Sequence, residues 1–439
     1  MTTLARKLGL SHYFSLAWAT MVGVGWLVVM DDWLKRGGPA GGLIAFAVGG
    51  VALLPVAWVY GQLIRMMPDA ASEVAYTERA FSRRVSYAIG WTMLLTYWIV
   101  CPWEAIAIGR IAAYLVPALN SIELYQVGGI PVYLPHLVIG LGFTAVFTAL
   151  NYRGIALSAT FQNWATAIVL GLIALVILLG LPHGSVANFS PPFNGSPVVS
   201  VLLMLQVVPY FMTGFESISK SSEEASAGFD ATRFGRAMAL AIGVGTVCYI
   251  AVIASVSYLA PWQSLLNERF ATAAAFEHAV GSRWVVNLIM GAALLSLLKI
   301  MNGTFVAASR LLFALGRRQL VSERVALIHP VNRTPSNAIV WVGGGTAAAI
   351  FFGSAILVPI TEVAAVTVAI GWLSACAAYL RLSPTPRGQL LAWIGLAVTG
   401  AMVLMKVLPF VPGHFSRAEW VALAVWCLAG WAVRKRATA

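Results

Sequence analysis

Apolar stretches of eighteen residues or more recur along this chain, and nothing else limits its fold as much. A helix of that length matches the hydrocarbon thickness of a bilayer. The stretches lie near 12–34, 39–66, 87–116, 132–151, 155–181, 197–219, 234–259, 283–315, 336–354, 358–381, 388–409 and 418–434. Turn signals punctuate them at Gly37-Gly38-Pro39, Met67-Pro68-Asp69, Pro191-Pro192 and Arg333-Thr334-Pro335. Hydrophobic residues make up 60% of the 439 and charged residues only 10%. A soluble domain has about 45–50% and about 25%, and its fold could not hide such a surplus. Disorder, a secreted disulfide scaffold and an ordinary cytosolic enzyme are excluded. The expected class is an all-α polytopic membrane protein of about twelve transmembrane helices.

The formal charge of +12 is read as loop charge, not as a nucleic-acid footprint. With the N-terminus inside, the inner loops carry most Lys and Arg, including Arg6, Lys7, Arg65, Arg79, Arg83, Arg84, Arg153, Lys220, Arg233, Arg236, Arg310, Arg317, Arg318 and Arg436. The outer loops carry Lys35, Arg36, Arg269, Arg283 and Arg417. This asymmetry predicts a multi-pass protein of a plasma or inner membrane, with both termini cytoplasmic. The inner loop 69–84 reads as an amphipathic segment on the membrane surface. Cys101, Cys248, Cys376 and Cys427 sit in apolar runs without metal or disulfide spacing and read as small core residues. The first apolar run is too long for a signal-peptide core.

Two spans look broken. Span 1 contains Gly23-Val24-Gly25-Trp26, with two glycines near its middle. Span 6 contains Pro209-Tyr210-Phe211-Met212-Thr213-Gly214-Phe215-Glu216. Pro209 removes a backbone donor and Gly214 permits unusual dihedrals. Either alone is an ordinary kink or packing site. Their placement five spans apart, in spans of opposite direction, points to an inverted-repeat transporter with a midplane site. Unwinding span 1 exposes amides at 23–26 that can hold a carboxylate. Expected substrate contacts are Val22, Gly23, Val24, Gly25 and Trp26, facing Tyr210, Thr213, Gly214, Phe215 and Glu216.

These motifs and two others carry a family likeness. Gly38-Pro39-Ala40-Gly41 opens span 2, and Glu223-Glu224 follows the span-6 motif. Ala308-Ser309-Arg310-Leu311-Leu312-Phe313-Ala314-Leu315, with His329-Pro330 and Arg333-Thr334-Pro335, ends span 8. In this order, over most of residues 12–381, the chain resembles the amino acid–polyamine–organocation superfamily of secondary transporters. The resemblance implies a five-plus-five inverted repeat, with residues 1–181 as the first repeat, 182–385 as the second and 386–439 appended. It also implies alternating access and amino-acid or small-amine substrates. The chain departs from the family at Trp26, where a smaller residue is usual. It departs again in span 5, where Gln162-Asn163 is followed by Val169 in place of a lysine.

Ionisable residues within spans are costly and suggest function. Lys299 lies mid-span with Asn302 and Gly303 on one helical face. In sodium-coupled relatives of this fold that face helps form a cation site. The Lys299 ammonium could replace the ion and exchange a proton during the cycle. Alternatively it is a fixed cation capping carbonyls of broken span 1. Glu104, in span 3, faces the cavity or pairs with Lys299. Glu216 touches the substrate amine or locks the span-6 break. Asp31 and Asp32 read mainly as a solvated helix end. Among aromatics, Trp26 and Tyr210 are favoured over Trp98 and Trp103 as substrate contacts; His12 and His136 read as interface residues. No catalytic residue, cofactor or metal is expected. The expected function is a proton-coupled permease for amino acids or related amines. The rivals are a polyamine or organic amine carrier, an exchanger, and a transporter-fold nutrient sensor.

Overall fold

The structure is a computed structural model that describes residues 6–268, 270–382 and 385–435. Arg269 and Arg436, used above to orient the chain, lie outside the described residues. Helix α1 (Leu10–Met21) is capped by His12, whose Nδ1 accepts the Gly9 amide at 3.1 Å. After three unwound residues comes α2 (Gly25–Val28), then α3 (Met30–Met66). Helix α3 is two arms meeting at Gly38, whose φ of 62° suits glycine. Its missing side chain also matters, since a Cβ would lie 2.9 Å from the Phe193 backbone. Expected span 1 is therefore α1, a break, α2 and the first arm of α3.

Helices α4 (Glu73–Ala80), α5 (Arg83–Trp98) and α6 (Val100–Leu115) follow. Here one expectation fails in part: the first half of residues 69–84 is buried, while Arg79, Ser82, Arg83 and Arg84 lie at the surface. Glu73, Val74, Ala75, Tyr76 and Thr77 of α4 are buried, because Glu73 ion-pairs inside the protein with Lys220. The chain is also not wholly helical. Strands β1 (Glu123–Val127) and β2 (Ile130–Tyr133) form an antiparallel hairpin with Val127 opposite Ile130. Gly128 and Gly129 turn it with φ of 58° and 78°, the left-handed pair that a two-residue hairpin needs.

Helix α7 (Leu134–Arg153) begins at a proline-containing first turn and stops at Gly154; α8 (Ile155–Gly180) follows directly. Expected span 6 is three short helices, α9 (Pro197–Leu205), α10 (Val208–Phe211) and α11 (Ser217–Lys220). The remainder are α12 (Thr232–Leu259), α13 (Ala271–Val280), α14 (Arg283–Arg317), α15 (Ser336–Ile350), α16 (Leu357–Leu382), α17 (Pro386–Val407) and α18 (Arg417–Val433). Among the described residues, eight helical stretches are long and apolar enough to cross a membrane. The other four expected spans differ for clear reasons: 1 and 6 are interrupted, while α15 and α18 have only 15 and 17 residues.

The inner helices are buried on all sides, whereas outer ones expose large apolar side chains such as Val51, Leu178, Val247, Trp341, Trp393 and Trp431. Helices α8, α12, α15, α17 and α18 thus present to their surroundings what a soluble protein hides. Cys427 on α18 belongs to that exposed face and Cys248 is half-buried, so only Cys101 and Cys376 are core residues as expected.

Candidate functional site

The two breaks face each other. Gly214 has a φ of 124°, and a Cβ there would lie 2.6 Å from the Thr20 carbonyl carbon. The break in span 6 therefore meets span 1 backbone to backbone. Tyr249 of α12 ties the pair together, its hydroxyl 3.2 Å from the carbonyls of both Met21 and Phe211.

Beside this junction lies a buried cavity of about 30 Å³. It has room for about a water or two, whereas ligand pockets run to about 300–1,000 Å³. Of the expected contacts, Gly23, Val24 and Gly25 line it from one break, and Tyr210 and Thr213 from the other. Glu104 and Trp103 of α6 and Ile300 and Thr304 of α14 complete much of the wall. The amides at the start of α2 have no helical carbonyl behind them, because the preceding residues are unwound. Glu104 is 2% exposed. Its Oε2 and the Trp103 indole N–H have no hydrogen-bond partner within the protein. The Gly23 amide is met by the Tyr249 hydroxyl; the cavity thus combines the unwound backbone of Val24 and Gly25 on one side, an unpartnered Glu104 oxygen on another and aromatic rings between.

Other expected contacts are placed elsewhere. Trp26 turns away into a separate apolar space with Ile173, Val252 and Phe276, while its carbonyl accepts the Thr272 hydroxyl. Trp103, ranked below it, lines the cavity instead, because α6 carries Trp103 and Glu104 to the same wall. Trp98 stacks on Trp426, 5.6 Å between ring centroids. Glu216 faces its own backbone, accepting the Gly214 amide at 3.1 Å and the Tyr97 hydroxyl at 2.7 Å. It locks the break. Phe215 packs on Trp372, 5.3 Å away and outside the cavity wall. Phe211 lines the cavity beside Gly25 and was missed, since no pattern in span 6 separates it from a packing residue.

Lys299 caps the first break. Its Nζ donates to the carbonyls of Val22 and Ala19, the latter at 3.3 Å, and sits 4.6 Å from the Trp18 ring centroid. Ser296, one turn earlier, donates to the Gly23 carbonyl at 3.0 Å. The carbonyls released by unwinding are thus taken up by α14. Glu104 lines the cavity and makes no ion pair with Lys299, though the two charges lie close enough to act on each other. Asn302 binds Gln162 at 2.8 Å, Ser158 at 2.9 Å and Asn151 at 3.1 Å. Gly303 lets Thr20 approach α14, where a Cβ would strike the Thr20 hydroxyl. Neither residue lines the cavity. Asp32 pairs with Arg36 at 2.6 Å at the opposite end of this region.

Beyond the span-6 break, past Glu216, lies a set of buried ion pairs. Lys220 of α11 meets Glu73 at 2.6 Å, both fully buried, and Tyr60 donates to the same carboxylate at 2.6 Å. Arg310 meets Glu224 at 3.2 Å, also fully buried. Beyond them Arg317 and Arg318 bind Asp69 at 2.9 and 2.6 Å. Burial alone would raise the Asp69 pKa, but Arg318, the Ala71 amide and Arg317 together hold it below the usual carboxylate range.

Residues 8–433 match the amino acid permease family. The chain belongs to that family. This permease is 28% identical over 361 residues to the methylthioribose transporter of Bacillus subtilis (strain 168), covering 79% of this chain and 75% of that one. It is 26% identical over 389 residues to a branched-chain amino acid permease of the same organism, covering 85% and 79%. It is also 26% identical over 323 residues to the low-affinity putrescine importer of Escherichia coli (strain K12), covering 70% and 66%. The permease is thus similar to transporters named for a sugar thioether, amino acids and a diamine.

Proposed function

We propose that this permease is a secondary transporter, not an enzyme, that moves an amino acid or related small amine by alternating access. Its twelve spans form a five-plus-five inverted repeat, with residues 1–181 and 182–385 as the repeats and 386–439 appended. Both termini are cytoplasmic, and the membrane is a plasma or inner membrane. One observation carries the reading: two helix breaks meet at a buried cavity that has the unwound backbone of Val24 and Gly25 on one wall and an unpartnered oxygen of Glu104 on another. A zwitterion satisfies both, with its carboxylate on the amides of Val24 and Gly25 and its ammonium on Glu104. Trp103 and Tyr210 close over the apolar part. The cavity's size makes this conformation closed to substrate on both sides, so admission requires movement at the breaks.

The coupling ion is a proton. The Lys299 ammonium holds the freed carbonyls of Ala19 and Val22 only while its N–H groups point at them. Loss of a proton weakens that hold and loosens the inner half of span 1.

Glu104 also favours a second reading, an amine carrier with no carboxylate requirement. Competition against labelled substrate separates the two. Under the first reading an amino acid outcompetes its decarboxylated amine, since buried amides left unpaired cost about 1–3 kcal/mol each. Equal or better competition by the amine supports the second. Under both, Glu104→Gln weakens amine binding by roughly ten- to a hundredfold, the loss of a charged hydrogen bond.

A further inference from the structure

A second polar concavity lies far from the cavity, where α3 and α12 end together. Gly61 and Gly235 bring these helices into backbone contact; a Cβ on Gly61 would lie 2.8 Å from the Gly235 Cα. Beside that contact the helices diverge around a groove of about 420 Å³. Helix α3 lines it with Leu54, Trp58, Gln62 and Arg65, and α12 with Arg236 and Ala239. Spacings of three and four put each set on one helical face.

The groove is graded. Its deep part is apolar, with Leu54 39% exposed on the outer face of the bundle. Its mouth carries two guanidinium groups in the last turns of α3 and the first turns of α12. Arg65 donates to Gln62 at 3.2 Å. Arg65 and Arg236 are both exposed, and neither holds a carboxylate within ion-pair distance among the described residues. Arg36, Arg310, Arg317 and Arg318 all do. The nearby Asp230 accepts the Thr232 amide at 2.8 Å and also acts electrostatically on Arg233 and Arg236, without an ion pair to either. Positive charge at the end of the helices above a bare apolar trough matches an anionic headgroup above an acyl chain. The groove opens outward, where the bundle meets its surroundings.

We propose that this groove between α3 and α12 binds an anionic phospholipid, with Arg65 and Arg236 on the phosphate and Leu54, Trp58 and Ala239 along an acyl chain. The proposal requires that the bundle sit in a bilayer and takes nothing from the substrate reading, so lipid binding is measured without transport.

The test is native mass spectrometry of the purified full chain titrated with phosphatidylglycerol or phosphatidylcholine. Phosphatidylglycerol is expected to bind about tenfold more tightly or better. Arg65→Gln/Arg236→Gln should abolish that preference, while Arg387→Gln, an exposed arginine at the start of α17, should keep it. Ala239→Trp fills the trough without touching the charge and should also weaken binding, giving a second variant if the double one folds poorly. Inorganic phosphate should not compete. Equal binding of the two lipids by the unaltered protein overturns the proposal, as does wild-type phosphatidylglycerol affinity in both groove variants. Displacement of phosphatidylglycerol by inorganic phosphate overturns it in favour of a soluble-anion site.

Discussion

Gly25 has no room for a side chain: a Cβ would lie 2.7 Å from Phe211 Cδ1, on the wall where substrate is proposed to lie. Valine there pushes Phe211 into the cavity and covers the amides beside it. Gly25→Val should therefore insert and remain folded but lose substrate binding by at least tenfold, read as loss of the substrate-induced rise in melting temperature. Normal uptake by well-expressed Gly25→Val would remove span 1 from the site. Glu216 teaches the opposite lesson at the same scale. It lies in the same break, yet its carboxylate is used up by the Gly214 amide and Tyr97. An ionisable residue inside a membrane marks a polar structure; only its free valences tell whether that structure also binds a ligand.

At the scale of elements, α4 and α11 decide how the bundle closes. Both are short, and what joins them is the ion pair of Glu73 and Lys220, with Tyr60 on the same carboxylate. The Lys220 ammonium also lies 5.0 Å from the Tyr97 ring centroid, so this closure touches the helix that holds Glu216. Removing one partner of a buried pair leaves an uncompensated charge, at a cost of about 3–5 kcal/mol. Lys220→Met should accordingly destabilise the solubilised protein strongly in thermal unfolding. Lys220→Met/Glu73→Gln should recover much of the loss, because no buried charge then remains. If the double variant is no more stable than the single one, the pair is not what holds α4 in place.

At the scale of the whole molecule, the proposed cycle joins the site to a proton gradient, and the structure joins it to the ionic layer beyond α11. Lys299 spans α14 and the unwound part of span 1, so its protonation acts on the element that must move. In proteoliposomes without sodium, an inward proton gradient should drive accumulation by the unaltered permease. Lys299→Gln should bind or exchange substrate without accumulating it. Accumulation by Lys299→Gln would leave the lysine as a brace alone. The ionic layer gives a separate pH effect. Asp69 is held below its unfolded pKa of about 3.9. Its contribution to stability is therefore complete above that value and lost as pH falls through the lower folded pKa. Melting temperature should drop on acidification below about pH 4, and Asp69→Asn should flatten that limb while lowering stability at neutral pH.

Hydropathy and spacing were enough to read the class, most helix positions and both breaks, because bilayer thickness and the demands of free backbone groups act on local sequence. Gly23, Gly25 and Gly214 were legible for that reason. What each side chain faces was not, since facing depends on how separate helices rotate and cross. Trp26 and Trp103 exchanged roles because α2 turns one ring outward while α6 turns the other in. Tyr249 and Phe211 carried no local signal at all: Tyr249 matters only because α12 brings it to two carbonyls that are 190 residues apart in sequence, Met21 and Phe211. Residues 69–84 look like a surface segment by their pattern of charge. The burial of the first half was decided by Lys220, about 150 residues away, which supplies the charge that lets Glu73 leave water. Local sequence determined where this backbone must break; only the packed bundle determined which groups answer the breaks and which stay free for a ligand.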